Sequence, residues 1–260
     1  MATSLGDAIK TQWRVFLSDR WNIYMLILVL MIPVVYESLR FMPVEESMTP
    51  HTFSPALTIW LQERLGTDGL IAYAASYYYV IPHILLMAGL GPLFLFAKRR
   101  PAWVYLSMAL AIFILDSVIY VLYPVAPPVR LDDSGVVPIR INLFALSETT
   151  ITAHYSAIPS GHIFTTVLGF LIAWLERWRR VAALYAANTI IMTGVIVYLG
   201  DHYFIDAVAS LVLVGVVYAG VWGIARRTPQ VQKRYGETLK MTSFAPDAPY
   251  ESCAPRRPEA

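Results

Sequence analysis

The chain has 260 residues, 57% of them apolar and only 15% charged, with a mean hydropathy of +0.54. A soluble domain carries about 25% charged residues, so the shortage of charge excludes an ordinary water-soluble enzyme and points to lipid as the solvent. The net charge of +2 sits in short basic clusters and gives no footprint for nucleic acid, while a single cysteine, Cys253, excludes an internal disulfide framework or a thiolate metal cluster.

Residues 1–20 form a short polar segment carrying Lys10, Arg14 and Arg20. The first apolar run, 21–38, resembles a signal peptide in its basic flank. It is followed by Glu37, Ser38, Leu39, Arg40 and Phe41 without a small-x-small cleavage pattern, so it is expected to remain as an anchor. Residues 54–65 are too few to cross a bilayer and mix Trp60 and Leu61 with Gln62, Glu63 and Arg64, which predicts an amphipathic helix at the interface. Further apolar runs at 70–97, 102–123, 162–177, 182–199 and 203–225 complete a set of six spans. About 20 residues are needed to cross the hydrocarbon core. The fourth run is shorter, as suits a span whose outer end lies in a water-filled pocket. From Thr228 onward the chain is polar and carries five prolines, the composition of a disordered tail.

Lys and Arg fix the expected orientation. Sixteen lie before the first span, between spans two and three, between spans four and five, or after the sixth; four lie in the remaining connections. The positive-inside rule then places both termini in the cytoplasm. The expected fold is an all-α, polytopic six-transmembrane-helix bundle over 21–227, with 1–20 and 228–260 cytoplasmic. The two long connections, 39–69 and 124–161, fall on the outer face of the cell membrane.

The chemistry lies where those outer connections return to the membrane. The first site reads Tyr155-Ser156-Ala157-Ile158-Pro159-Ser160-Gly161-His162. Ser160 is a capping residue type, Gly161 turns at little steric cost, and free N–H groups at a helix start bind anions, phosphate above all. His162 in the first turn is placed to move a proton on a bound phosphoryl group. A serine cap with an incidental interfacial histidine accounts for the same residues. The second site reads Gly200-Asp201-His202-Tyr203-Phe204-Ile205-Asp206. A helix places His202 and Asp206, four apart, on one face. A carboxylate on one imidazole nitrogen would leave the other free to attack. A polar pair at the membrane edge is the alternative, although an ionisable group inside an apolar segment points to function. Both sites open spans that run from outside to inside, so the topology puts His162 and His202 at one depth. His83 and Asp116, in spans two and three, differ in depth by about 9 Å and are not expected to pair.

Pro159-Ser160-Gly161-His162 followed by His202-x-x-x-Asp206 resembles the second and third signature motifs of the type 2 phosphatidic acid phosphatase superfamily. Tyr123-Pro124-Val125-Ala126-Pro127-Pro128-Val129-Arg130 and Tyr198-Leu199-Gly200-Asp201-His202-Tyr203 resemble its inositolphosphotransferase branch, which includes inositolphosphorylceramide synthase. The likeness covers about residues 70–225. It implies that His202 takes the phosphoryl group as a phosphohistidine and that Asp206 orients it. His162 would protonate the leaving alkoxide and then act as base on the incoming hydroxyl, while Ser160 and Gly161 hold phosphate oxygens. It implies no metal and no cofactor, since cationic side chains and N–H donors can carry the charge. The implied substrate is a phospholipid or polyprenyl phosphate in the bilayer, and the acceptor a lipid or polyol hydroxyl, or water.

The chain departs from the superfamily pattern. Leu93 stands where the first motif has lysine, and its Arg100-Pro101 falls on the cytoplasmic face. Val195-Ile196 replaces the usual Ser-Arg before the third motif. Arg130 and Arg140 are the available substitutes, and Arg130, ending the proline-rich turn, is the expected phosphate contact. These departures favour transfer of a phospho-head group over hydrolysis. Two other classes stay open: a zinc hydrolase with His162, His202 and Asp206 as ligands, and a transporter relaying protons through His and Asp. A rhomboid-like protease is excluded by Ile158, where Gly-x-Ser-Gly needs glycine. The orientation makes a direct prediction. A cysteine placed at Ser134 should react with an impermeant reagent only from outside the cell, and labelling only from the cytoplasm would reverse the topology.

Overall fold

The computed structural model describes residues 5–40, 51–131, 133–144, 157–229 and 231; His154 and the tail beyond 231 lie outside them. The described chain is all-helical, with nine α-helices: α1 (Leu5–Leu17), α2 (Arg20–Arg40), α3 (Ala56–Leu65), α4 (Gly69–Phe96), α5 (Ala102–Leu122), α6 (Ile139–Phe144), α7 (Gly161–Leu175), α8 (Arg179–Tyr198) and α9 (Phe204–Ala225). Four of them, α4, α5, α8 and α9, are long and apolar enough to cross a membrane. α7 is equally apolar but has 15 residues, about 22 Å at 1.5 Å per residue. The chain divides into two compact units, Met1–Val221 and Trp222–Ala260. In the second, the helix ends in a turn where the Arg226 N–H donates to the Trp222 carbonyl at 3.0 Å.

Two helices were read incompletely in the sequence. The polar segment before α2 folds as α1, an amphipathic helix with Lys10 and Arg14 beside exposed Trp13 and buried Phe16. It stops at Ser18, and α2 restarts at Asp19, whose Oδ1 accepts the Trp21 N–H at 3.0 Å in the manner of an N-cap. α3 is helical as expected, but its inward face is polar. Thr58 and Gln62, four apart, are buried, while Leu57, Trp60 and Leu65 are exposed. Gln62 accepts the Val137 N–H at 2.9 Å and donates to the carbonyls of Val137 and Tyr198 at 3.0 Å. That one amide ties α3, the segment before α6 and the end of α8 together.

Many large apolar side chains of the long helices also face outward: Leu70 is 85% exposed and Ile190 74%, as lipid-facing residues should be. Other apolar side chains, such as Ile112, Phe164 and Ile172, are buried in the core, where small and polar residues let particular helix pairs come close. Tyr185 of α8 reaches across to donate to the Leu86 carbonyl at 2.9 Å, and its ring fills the space over Gly169 of α7. A β-carbon at Gly169 would overlap that ring. The hydroxyls of Thr166 and Thr189 join α7 to α8 at 2.9 Å, and the Tyr78 hydroxyl donates to Asn188 Oδ1 at 2.8 Å.

At the far end of α7, the buried carboxylate of Glu176 accepts N–H groups from Lys98 and Arg99 at 2.8 Å and from Arg100 at 3.2 Å, and the Tyr105 hydroxyl at 2.6 Å. This clasp holds the α4–α5 connection. It also places Arg100-Pro101 at the end of α7 opposite to Gly161 and His162.

Candidate active site

α7 begins abruptly after an irregular stretch, Ala157 to Ser160, that includes a cis Ile158–Pro159 bond. Backbone at membrane depth needs partners for every polar group, and here they come from three directions. The Ala157 N–H donates to the Val125 carbonyl at 3.1 Å, the Tyr120 hydroxyl donates to the Pro159 carbonyl at 3.0 Å, and the Ser160 N–H donates to Ser210 Oγ of α9 at 2.9 Å. Val125 is itself held, since the His51 N–H donates to the Pro124 carbonyl at 2.9 Å and the Ala126 N–H to the His51 carbonyl at 3.1 Å. The proline-rich word at 123–130 therefore serves as a backbone scaffold for the start of α7.

Ser160 occupies the N-cap position, with φ −83° and ψ 118°, but its side chain makes no capping hydrogen bond. Its Oγ is buried and has no hydrogen-bond partner among the described residues. The expected cap is thus replaced by backbone contacts, and the hydroxyl stays free beside the first N–H groups of α7, which have no acceptor within the helix.

The second element arrives through Gly200. Its φ of +79° suits glycine, and a β-carbon there would fall 2.8 Å from Val136 Cγ1. Its carbonyl accepts the Val129 N–H at 3.0 Å, which seats the 3₁₀ turn Pro128–Arg130 on the loop that carries His202. His202 is 7% exposed. Its Nδ1 lies 2.7 Å from the Ala157 carbonyl and 3.2 Å from Asp206 Oδ2. A carbonyl oxygen can only accept, so the short contact puts the proton on Nδ1 and leaves the Nε2 lone pair free. Asp206 Oδ2 also accepts the Tyr203 N–H at 2.8 Å, and the Tyr203 hydroxyl donates to the Ala126 carbonyl at 2.9 Å.

The structure brings the two sites into one. The rings of His162 and His202 stand edge to face with centroids 6.0 Å apart. His162 also lies against two rings of α4, Tyr79 at 4.1 Å and His83 at 4.2 Å. On Tyr79 rests the guanidinium of Arg140, 3.9 Å from the ring centre. Arg140 Nε and a terminal nitrogen donate to the two carboxylate oxygens of Asp201 at 2.9 and 2.6 Å, with both side chains nearly buried. Burial alone would disfavour that charge, but Asp201 and Tyr79 outweigh it and hold Arg140 above its ordinary value.

Ser160, Gly161, His162, His202 and Asp206 therefore stand together. Arg130 ends its turn partly exposed, whereas Arg140 is packed into the ring column beside His162. Asp201 pairs with Arg140, so it neither caps α9 nor stands free for a head group. Asp116 is wholly buried within α5. Among the described residues, no group of three or more His, Cys, Asp and Glu side chains is arranged to hold a metal ion. Four participants were not assigned from the sequence: the Ala157 carbonyl, Tyr79, His83 and the Arg140–Asp201 pair. The signal for His83 was there, an ionisable group after a proline in mid-span.

Compared with known proteins, the family model described as PAP2 superfamily matches residues 50–220. No curated protein and no solved structure matches.

The buried ion pair yields a stability prediction. Asp201→Asn leaves the Arg140 charge uncompensated and should cost about 3–5 kcal/mol, whereas Arg140→Met combined with Asp201→Leu should recover most of it. Thermal unfolding in detergent reads both, and a single variant as stable as the parent would contradict the pairing.

Proposed function

The chain belongs to the PAP2 superfamily, and from that premise we propose that it moves the phospho-head group of a membrane lipid through a phosphohistidine on His202. Membership makes it an enzyme of the class that contains phosphatases and phosphotransferases of lipid phosphates. The single observation that carries the finer reading is the short Nδ1 contact of His202 with the Ala157 carbonyl. It turns an imidazole into a nucleophile of defined tautomer, with Asp206 behind it to stabilise the cation formed on attack.

The steps balance without an added group. Nε2 of His202 attacks phosphorus, the bond to the leaving alkoxide breaks, and His162 gives that oxygen its proton. An acceptor hydroxyl then passes its proton to His162 and attacks phosphorus; the P–N bond breaks and His202 is restored. Ser160 Oγ and the N–H groups of Gly161 and His162 hold the non-bridging oxygens, those of Ile163 and Phe164 being taken by the Ser160 carbonyl. Arg130 and Arg140 are the nearby cations of the reading, and no metal is required.

Transfer is favoured over hydrolysis by the charge available. A phosphomonoester dianion calls for several cations, but Leu93 and Val195-Ile196 stand where the superfamily keeps two of them. Arg140 is already matched by Asp201 through both oxygens. So little net positive charge suits a singly charged phosphodiester. The reading also takes α2, α4, α5, α7, α8 and α9 as six spans with the site toward the extracytoplasmic face. The irregular backbone at 157–160 is tolerable at depth because it is packed in protein and its polar groups are paired.

The test supplies phospholipids labelled at the head-group phosphate to the purified protein in detergent, with a chelator present. Label should move to a new phospholipid, and His202→Ala should lower the rate at least roughly a thousandfold. Free phosphate as the sole product would make the enzyme a phosphatase, and activity that survives His202→Ala would end the phosphohistidine reading.

A further inference from the structure

Resting on that reading, we infer that His83 is a positioning residue for catalysis, holding the imidazole of His162 by ring packing and remaining neutral while His162 exchanges its proton. Tyr79 and His83 are four apart on α4, so they project from one face a turn apart. The ring of His162 meets both, at 4.1 and 4.2 Å, with tilts of 43° and 37°. A ring seated between two such neighbours has little freedom to turn away from a bound phosphoryl group. The notch is built into α4 by sequence. Pro82 has no N–H to offer the Tyr78 carbonyl, so the helix ladder lacks one bond between Tyr79 and His83.

The protonation of His83 follows from its surroundings. Its Nδ1 is buried and has no hydrogen-bond partner among the described residues. A protonated imidazole carries N–H on both nitrogens, which would bury an unsatisfied, charged donor at that atom. The neutral form with its proton on Nε2 avoids this. A second argument is Coulombic: two positive charges on rings about 4 Å apart would repel each other. The proton of the pair therefore belongs to His162. Charged or titratable groups around the ring column include Tyr79 on α4, Arg140 on α6, Asp201 and His202 in the connection, and Asp206 on α9. Arg140 and Asp201 neutralise each other, and His202 shares its Nδ1 proton with Asp206 and Ala157. His83 thus gives His162 a ring to lie against without a competing charge.

A leaving-group comparison tests this. Turnover of a lipid phosphodiester with an alkyl leaving group needs the proton that His162 supplies, whereas a p-nitrophenyl ester does not, because nitrophenolate departs unaided. His83→Ala should slow the alkyl substrate at least tenfold in kcat, change KM little, and leave the first-turnover burst of nitrophenolate from the p-nitrophenyl substrate, which precedes the step in which His162 acts as base, within about twofold in rate. His83→Phe, which keeps a ring and cannot titrate, should restore most of the alkyl rate. Equal losses on both substrates would reduce His83 to a structural residue and overturn the inference. No loss at all, or a Phe variant as slow as the Ala variant, would overturn it too. His202→Ala run alongside separates the two failures: the underlying reading fails only if that variant still turns over the p-nitrophenyl ester.

Discussion

The hydrogen bond from His202 Nδ1 to the Ala157 carbonyl joins the two halves of the site, and much of the fold exists to make it. Ala157 sits in irregular chain just ahead of α7, and such chain survives at membrane depth only when its polar groups are matched. The matching is serial. The His51 backbone pairs with Pro124 and Ala126, Val125 accepts from Ala157, and Ala157 accepts from His202. Tyr203 closes the circuit onto Ala126. The proline-rich word contributes carbonyl oxygens in fixed places, and prolines suit this because their fixed φ limits the conformations available.

The depth of the site follows from the same arrangement. α4 has 28 residues, about 42 Å, and His83 lies near its middle. His162, in the first turn of α7, packs beside His83, so α7 begins level with the middle of α4. That is why 15 residues suffice for α7, and why Glu176 can clasp the α4–α5 connection at its other end. The polar groups below the membrane surface are handled in closed sets: Arg140 with Asp201, Glu176 with three N–H groups and Tyr105, and His202 with Asp206. Ser160 Oγ, buried and without a hydrogen-bond partner among the described residues, lies at the start of α7 beside His162, where a phosphorylated ligand would add an acceptor.

Much of this was legible in the sequence, for reasons that can be named. Four of the six apolar runs form helices long and apolar enough to cross a membrane, legible because about 20 apolar residues in a row suit a bilayer. A helix was expected to bring His202 and Asp206 together; the structure makes that contact with His202 in the connection ahead of α9, which starts at Phe204. α1 was missed because thirteen residues with mixed charges resemble a mere flank. α3 was read with the right length but the wrong inside, since Gln62, taken for its solvated face, is the residue it buries. His83 was set aside because its depth was compared only with that of Asp116; its neighbour is His162, at the start of α7. Arg130 was preferred to Arg140 on its place after the prolines; which arginine meets Tyr79 depends on how α6 packs against α4, and no local pattern records that. The Ala157 carbonyl has no side-chain signature at all.

The measurement that bears most directly on the account is the identity of the phosphorylated atom. Turnover of labelled lipid would be quenched within milliseconds in alkali, which preserves phosphohistidine, and the peptides mapped by mass spectrometry. The account predicts a phosphoryl group on His202 at Nε2, because Nδ1 is held by Ala157 and Asp206. Label on His162, on Nδ1 of His202, or on no residue during active turnover would contradict it.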